Sequence, residues 1–242
     1  MCIRDSYSPH EMRVESRTAI GLLARWLAEA HGVVFRFGEA VLEVTTPHVR
    51  TSRAVLQADR VVVCTNTELH GLFAERLAPH ALRLCQLQML RVMPEPGFRL
   101  PGSVMADLSL VRYHGYSQLP EAAPLLEQIQ REEGESLAHG IHLIVVQSAD
   151  GSLVVGDSHH YGAAPEPFAS EHVDTLILRH LRETLRLREA TVTARWVGTY
   201  PSSPDTDCLI DAPDDATRVV LVTSGTGAST AFGIAEEVFA GW

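Results

Sequence analysis

A loop of small residues near the C-terminus of the sequence could contact a cofactor. An apolar run and a helical pattern flank Ser224, Gly225, Thr226, Gly227 and Ala228. Small side chains let a flat or charged group approach the backbone, and N–H groups at the start of the helix would stabilise a phosphate or an electron-rich ring oxygen. Thr230 replaces the third glycine of a GxGxxG motif, and no acidic residue follows about twenty positions later. The loop therefore does not fit NAD, and a plain strand-to-helix turn is the alternative interpretation.

A second group of residues could bind an anionic substrate. Arg112, Tyr113 and His114 place a cation, a phenol and an imidazole close together in the sequence. The planar guanidinium of an arginine pairs with two oxygens of a carboxylate or phosphonate at once. A solvated surface charge is the alternative interpretation of Arg112.

A third group follows a strongly predicted β-hairpin. Asp157, Ser158 and His159 come directly after its second strand, and His160 is the next residue. Two neighbouring histidines could be metal ligands, but no third ligand stands at a suitable spacing. We therefore predict no metal site.

The periodicity of the sequence predicts the elements that must position these groups. Apolar residues three and four apart predict amphipathic helices over 15–31 and 170–187, the second with Ser170 as its N-cap. The continuous run from Val61 to Cys64 predicts a strand buried on both faces of a parallel sheet. The remaining patterns predict a helix over 120–133, hairpins over 48–58 and 141–162, and strands over 33–37, 40–44, 82–94, 103–116 and 191–201.

The order of these elements predicts two kinds of structure within the chain. Residues 81–197 are expected to form an antiparallel sheet with helices. Residues 8–80 and 198–242 have the pattern of an α/β nucleotide-binding unit, and they would have to come together in space. Residues 1–6 have neither periodicity nor a helix cap, so we predict that they are a non-native leader.

The succession of these segments carries a family resemblance. The segments are, in order, a helix, a strand pair, "ADRVVVCTN", an antiparallel insert, "RWVGTYP" and "VVLVTSGTGASTAFGIAEEV". In this order they resemble the FAD-dependent amine oxidoreductases of the D-amino-acid oxidase and sarcosine oxidase (DAO) family. The resemblance implies an α/β plus α+β fold, with an antiparallel-sheet substrate domain inserted into an FAD-binding Rossmann-type domain. The N-terminal βαβ unit of the family, with its GxGxxG motif, has no counterpart here. The resemblance therefore implies the C-terminal part of such an enzyme, an N-terminally truncated fragment.

Several segments resemble one branch of this family more narrowly. They are "SPHEMRVESRTAI", "LCQLQMLR", "GIHLIVVQ", "GDSHHYG" and "RWVGTYP". That branch is encoded near phosphonate-catabolism genes and is thought to oxidise 2-aminoethylphosphonate or its N-methyl derivative. The resemblance thus implies a small, anionic amine as the substrate.

The resemblance also implies a site, with FAD as its cofactor. The implied cofactor contacts are Val44, Cys64, Thr65, Asn66, Ser224, Gly225, Thr226, Gly227, Ala228, Ser229 and Thr230. The implied substrate contacts are Gln88, Met89, Arg112 and Tyr113, although Met89 could equally be a core residue. His159 and Tyr200 are the implied catalytic positions, and the helix after the glycine loop would point its N-terminus at the pyrimidine end of the flavin.

The resemblance implies an enzyme that oxidises a small amine or amino acid by hydride transfer to flavin. A non-catalytic fragment, or a small-ligand-binding α+β protein without flavin, is the alternative. The formal net charge is −10, and its 20 basic residues are all arginine without a basic run, so nucleic-acid binding is not predicted. No apolar run approaches the roughly 18 to 20 residues of a membrane span, and no secretory signal is visible. A cytoplasmic protein without membrane association is therefore expected, of undetermined oligomeric state.

Overall fold

The computed structural model describes residues 8–10 and 12–242, so the predicted leader at 1–6 lies outside the described residues. In this part of the chain the helices are α1 (Ser16–His31), α2 (Ala74–Leu77), α3 (His114–Ser117), α4 (Ala122–Glu132), α5 (Gly134–Ala138), α6 (Glu171–Thr184) and α7 (Gly227–Ala240). The strands are β1 (Val41–Thr45), β2 (His48–Thr51), β3 (Val55–Gln57), β4 (Val61–Val63), β5 (Arg83–Pro94), β6 (Val104–Met105), β7 (Ile144–Gln147), β8 (Leu153–Gly156), β9 (His160–Gly162), β10 (Ala190–Ser202), β11 (Cys208–Asp214) and β12 (Thr217–Val222). Short 3₁₀ helices cover Ala78–His80 and Asp107–Val111.

The largest sheet is built around the long strand β5. Its order is β10-β5-β8-β7-β6, and β9 pairs with the part of β5 that β8 leaves free. Every pairing in this sheet is antiparallel. Strand β10 pairs with β5 from one end to the other, as the two predicted strands over 82–94 and 191–201 require.

Helix α6 covers one face of this sheet and completes the main hydrophobic core. Leu90 of β5 and Val155 of β8 are fully buried, and so are Ile177 and Leu181 of α6. Ile177 and Leu181 are four residues apart and therefore lie on the same side of α6. The predicted N-cap is confirmed, because Ser170 Oγ accepts the N–H of Val173 at 3.4 Å.

A second sheet, with the order β11-β12-β4, contains the parallel pair β4 and β12. The predicted parallel strand is thus confirmed, and with the antiparallel sheet it confirms the predicted α/β plus α+β fold class. The prediction that both faces of this strand are buried is wrong, because Val63 is 8% exposed but Val62 is 37% exposed. Strand β4 forms the edge of its sheet, and the side bearing Val62 stays open to solvent in the described part of the chain.

The two other strand predictions that fail do so for different reasons. Residues 33–37 have no regular structure, and Phe35 and Phe37 stack on each other with ring centroids 5.5 Å apart. Within the predicted strand over 103–116, Val104–Met105 alone forms a strand. The neighbours Leu108 and Ser109 are both buried in the 3₁₀ helix that follows, and Ser109 Oγ donates to the carbonyl of His142 at 2.9 Å, which holds this turn in place.

Helix α1 is followed by Gly32, whose φ of 67° lies in the left-handed region, as expected after a helix C-terminus. Its apolar side chains are not covered, because Ile20 is 73% exposed and Trp26 is 54% exposed. None of the described helices is long and apolar enough to cross a membrane.

Candidate functional site

The glycine loop forms one wall of a cavity of about 230 Å³. Strand β12 ends at Val222 and helix α7 begins at Gly227, so the glycine loop connects the end of this strand to the N-terminus of the helix. The lining residues are Asn66, Tyr200, Pro201, Val222, Ser224, Gly225, Gly227 and Ala228. The structure thus brings together six of the residues predicted for the site, from three distant parts of the sequence.

Two glycines of this loop lie close to neighbouring side chains. A Cβ atom on Gly225 would lie at ordinary contact distance from Tyr200, 3.6 Å from its hydroxyl oxygen. A Cβ atom on Gly227 would lie 3.3 Å from Cγ1 of Val222, which is tighter than an ordinary contact. The loop is consequently shaped so that its backbone can face a ligand.

The loop also offers polar groups. Ser224 Oγ and Thr226 Oγ1 lie 2.7 Å apart, and Ser224 Oγ donates to the carbonyl of Asp207. Thr226 occupies the N-cap position of α7 but makes no side-chain cap hydrogen bond. The N–H groups of Ser229 and Thr230 donate to the carbonyl of Thr226, which leaves those of Gly227 and Ala228 for an acceptor in the cavity.

Tyr200 connects this cavity to one face of the large sheet. Cys85 of β5 pairs with Tyr200 on one side and with Tyr161 on the other, so the two phenols lie on the same face. The Arg112 Nη2 atom donates to the Tyr161 hydroxyl oxygen at 3.0 Å. Burial and a hydrogen bond with Cys85 raise the pKa of Tyr200, so its phenol stays protonated.

Beside these residues lies a buried cluster of two histidines and one aspartate. His142 Nδ1 lies 3.3 Å from Asp157 Oδ1, and His159 Nε2 lies 3.6 Å from Asp157 Oδ2. The ring centroids of His159 and Tyr200 are 6.4 Å apart, so the cluster adjoins the cavity residues. Tyr113, which was predicted to contact the substrate, lies beside His142, and the centroids of the two rings are 5.5 Å apart.

Burial controls the charge of this cluster. It raises the pKa of the Asp157 carboxyl to about 7, lowers the pKa of His142 to about 3, and lowers the pKa of His159 to about 4. Both imidazoles are therefore neutral at physiological pH. Their contacts with Asp157 are consequently not ion pairs, despite the short distances.

The fold places two further ligand-type residues beside His159, which no spacing in the sequence indicated. His142 and Asp157 supply two such groups, and the three ligand-type atoms lie within 4.8 Å of one another. His160 lies elsewhere, with its Nε2 atom 3.0 Å from Nδ1 of His139. Sequence spacing alone concealed the group because His142 and His159 are on opposite sides of the β7–β8 hairpin.

The structure separates Gln88 from Met89, which were both predicted to contact the substrate. Consecutive strand residues point to opposite faces. Met89 shares the face of Cys85, and its side chain lies against Gly156, where a Cβ atom would come within 2.3 Å of Met89 Sδ. Gln88 points the other way, towards helix α6.

The amide of Gln88 is fully occupied by α6. Its Nε2 atom donates to the carbonyl of Ser170 at 2.9 Å and to Asp174 Oδ1 at 2.7 Å, and its Oε1 atom accepts the N–H of Ser170 at 2.8 Å. This arrangement gives Gln88 a structural function, which is to join β5 to the start of α6. The prediction that Gln88 binds substrate therefore has no geometric support.

The remaining predicted cofactor contacts do not line the cavity. Val44 packs against the small core around Val63 and Leu221, because it lies on β1 and faces the second sheet. Cys64 and Thr65 precede the lining residue Asn66. The other two, Ser229 and Thr230, lie within the exposed first turn of α7.

The sequence matches a known family over nearly its whole length. The family model described as DAO, FAD dependent oxidoreductase, matches residues 3–240. No curated protein sequence gives a significant match.

Solved structures show the same fold at low sequence identity. Glycine oxidase from Bacillus cereus ATCC 14579 is 12% identical with a TM-score of 0.54, over 78% of this chain and 44% of that chain. Iminodiacetate oxidase from Chelativorans sp. BNC1 is 17% identical with a TM-score of 0.60, over 95% and 53%. L-Amino acid deaminase from Proteus myxofaciens is 16% identical with a TM-score of 0.61, over 95% and 58%. The chain thus spans about half the length of these relatives.

Proposed function

The chain belongs to the DAO family of FAD-dependent oxidoreductases, and from this premise we propose that the whole protein oxidises a small amine or amino acid with FAD as its cofactor. The solved structures of similar fold include a glycine oxidase, an iminodiacetate oxidase and an L-amino acid deaminase. Their names support a substrate that carries an amine next to an anionic group.

The observation that carries the proposal is the position of the glycine loop beside Tyr200. A Cβ atom on Gly225 would occupy the space next to the Tyr200 hydroxyl, so the loop leaves room for a flat ring there. Bound FAD would supply the hydride acceptor for the oxidation. The N-terminus of α7 would stabilise negative charge on the pyrimidine side of the ring through its free N–H groups. Tyr200, held in its protonated form, would act as a hydrogen-bond donor.

Arg112 is the residue that would bind the anionic group of the substrate. Its guanidinium lines a second cavity, of about 260 Å³, and is oriented by the Tyr161 hydroxyl. The Tyr161 and Tyr200 side chains flank Cys85 on one sheet face, so an anion at Arg112 would be close to the ring site. An amine held by its acid group at Arg112 would thus present its neighbouring carbon towards the loop.

We propose further that the acid group is a phosphonate, as in 2-aminoethylphosphonate or its N-methyl derivative. The narrow resemblance of the segments around Gln88, His159 and Tyr200 supports this substrate class. A phosphonate carries more negative charge than a carboxylate, and a half-buried arginine stabilises such a group strongly.

The test uses the protein in the longest form that its gene encodes. The purified protein should be yellow, with released FAD in a ratio of about one per chain. Turnover should be measured with 2-aminoethylphosphonate, its N-methyl derivative, glycine and an uncharged amine of similar size, with oxygen and with an artificial electron acceptor. A colourless protein that ignores added FAD would refute the cofactor, and would favour a small-ligand-binding protein instead. A yellow protein that prefers glycine would refute only the phosphonate.

A further inference from the structure

The cluster of His142, Asp157 and His159 leaves buried polar atoms without partners. Both ring nitrogens of His142 and the Oδ1 atom of Asp157 have no hydrogen-bond partner among the described residues. His142 is only 2% exposed and His159 only 7% exposed. Unpaired buried polar groups are costly, so a ligand that contacts Asp157 Oδ1 and a ring nitrogen of His142 would be strongly favoured.

The backbone fixes the orientation of one ligand-type atom. Gly140 accepts a hydrogen bond from His159 through its carbonyl, with the ring nitrogen Nδ1 at 2.9 Å. This contact assigns the proton to Nδ1 and leaves the lone pair of Nε2 facing Asp157. The approach is close enough to require glycine, since a Cβ atom on Gly140 would lie 2.8 Å from the His159 Cβ atom. A carbonyl behind the outer ring nitrogen is the usual arrangement for a metal-binding histidine.

The three groups lie close enough together to surround a single ion. Nitrogen and carboxylate ligands lie roughly 2.0–2.2 Å from a divalent transition ion, which puts neighbouring ligand atoms about 3.0–3.6 Å apart. The two histidines approach Asp157 at 3.3 Å and 3.6 Å, each through a different carboxylate oxygen, and one ligand-type atom from each residue lies within 4.8 Å of the other two. We propose that His142, Asp157 and His159 bind one divalent transition-metal ion, with Zn²⁺ as the probe that detects it.

The site would be open on one side. Two imidazoles and a carboxylate fill three coordination positions, so at least one position is left for an exogenous ligand. His142 and Gly140 line the cavity of about 260 Å³ that also contains Arg112. The ion and the guanidinium would therefore both attract an anionic oxygen in that cavity. In this arrangement His159 is a ligand, which differs from its predicted catalytic position.

The ion would be independent of the flavin, so its test does not depend on the proposed function. The 242-residue chain should be stripped with a chelator, dialysed against Zn²⁺ and analysed for bound metal. We expect one tightly bound Zn²⁺ per chain, and at least a tenfold loss of affinity in Asp157→Asn and in His142→Gln.

The matched control uses the neighbouring histidine pair. His139 and His160 contact each other and lie near the exposed His172, so these residues could bind zinc adventitiously. The double variant His139→Ala with His160→Ala should keep the tight site. Loss of zinc in this control but not in Asp157→Asn would overturn the proposal, and so would a parent chain that binds no zinc.

A second measurement needs no variant and therefore survives any folding defect. X-ray absorption of the zinc-loaded parent chain should show nitrogen and oxygen ligands only, with scattering from two imidazoles. A sulfur ligand, or fewer than two imidazoles, would overturn the assignment. Circular dichroism of each variant without metal then shows whether a lost site reflects the ligand or the fold.

Discussion

At the scale of single residues, Gly225 is the position where a side chain should do the most harm to cofactor binding. Gly225→Leu would fill the space beside the Tyr200 hydroxyl, and overpacking of this kind should weaken FAD binding by roughly tenfold or more. The measurement is the flavin absorbance per chain after gel filtration of the protein, expressed in the longest form that its gene encodes. Gly233→Leu is the matched control, because a Cβ atom there meets nothing within 4 Å. Equal flavin loss in both variants would contradict the placement of the ring.

Arg112 should distinguish substrates by charge. Arg112→Ala removes a charge-assisted contact and should raise KM for an anionic amine by roughly 10- to 100-fold, with little change for an uncharged amine. Arg99→Ala is the control, since Arg99 is exposed and, among the described residues, its side chain donates only to the carbonyl of Phe98. If KM rises equally for both kinds of amine, Arg112 acts on the shape of the cavity and does not bind an anion.

The residues explain which parts of the site the sequence could predict. The loop and Tyr200 were predictable because their small and aromatic side chains occur in recognisable segments. His142 was missed because a single histidine in an apolar run carries no spacing signal. Yet the pairing of Ile144 with Gly156 in the predicted hairpin, extended past the end of the strands, would have placed His142 near Asp157. Gln88 and Met89 were predicted together because they lie on one strand, whereas neighbouring strand residues point in opposite directions.

At the scale of elements, the buried amide of Gln88 adds a polar contact between β5 and the start of α6 to their shared hydrophobic core. Gln88→Ala would leave Ser170 and Asp174 without that partner, and should lower the free energy of unfolding by about 2–3 kcal/mol. Arg195 would still bind Asp174, at 2.8 Å, which limits the loss. Urea unfolding provides the measurement. A variant of unchanged stability but raised KM would restore the substrate-binding role that the structure does not support.

Helix α6 also contains a histidine that should make stability depend on pH. Burial lowers the pKa of His180 below its ordinary value of 6.5, and its Nε2 atom lies 2.8 Å from Ser136 Oγ. The unfolded chain therefore binds this proton more readily, so the contribution of His180 to stability is complete above pH 6.5 and is lost as the pH falls through the lowered pKa. His180→Gln should show a smaller loss of stability between pH 8 and pH 5 in urea unfolding. The exposed His70→Gln variant should lose as much as the parent chain.

The elements were predictable where one pattern dominated. The capped helix α6, the β7–β8 hairpin and the paired strands β5 and β10 have clear periodicity and end signals. The segment from Val104 to Val111 has β-type residues but a helical end, because burial of both Leu108 and Ser109 overrides local propensity. The exposure of Val62 could not be read from its sequence, since a continuous apolar run says nothing about whether both faces are covered.

At the scale of the whole molecule, the 242-residue chain exposes large apolar side chains on two helices. Ile20 and Trp26 of α1 are 73% and 54% exposed, and Phe232 and Phe239 of α7 are 76% and 60% exposed. Apolar patches of this kind promote association. The chain by itself should therefore self-associate with increasing concentration in sedimentation velocity and should bind an apolar dye. Ile20→Glu combined with Phe232→Glu should reduce both signals, whereas charge changes at the already polar Glu29 and Glu236 should not. A chain that remains monomeric and does not bind the dye would contradict this expectation.

The ladder between β5 and β10 has a further consequence, for the order in which the molecule folds. Leu87 pairs with Gly198, so about 110 residues separate these partners, whereas the strands of the β1–β2–β3 hairpins are adjacent in sequence. Closing so long a loop has an entropic cost before any contact of the ladder can form. The hairpins and helix α6 should thus form early, and the cavity beside Tyr200 late. During synthesis the cavity cannot exist until Tyr200 and the glycine loop have left the ribosome, so every strand of the large sheet is made before the cavity can form.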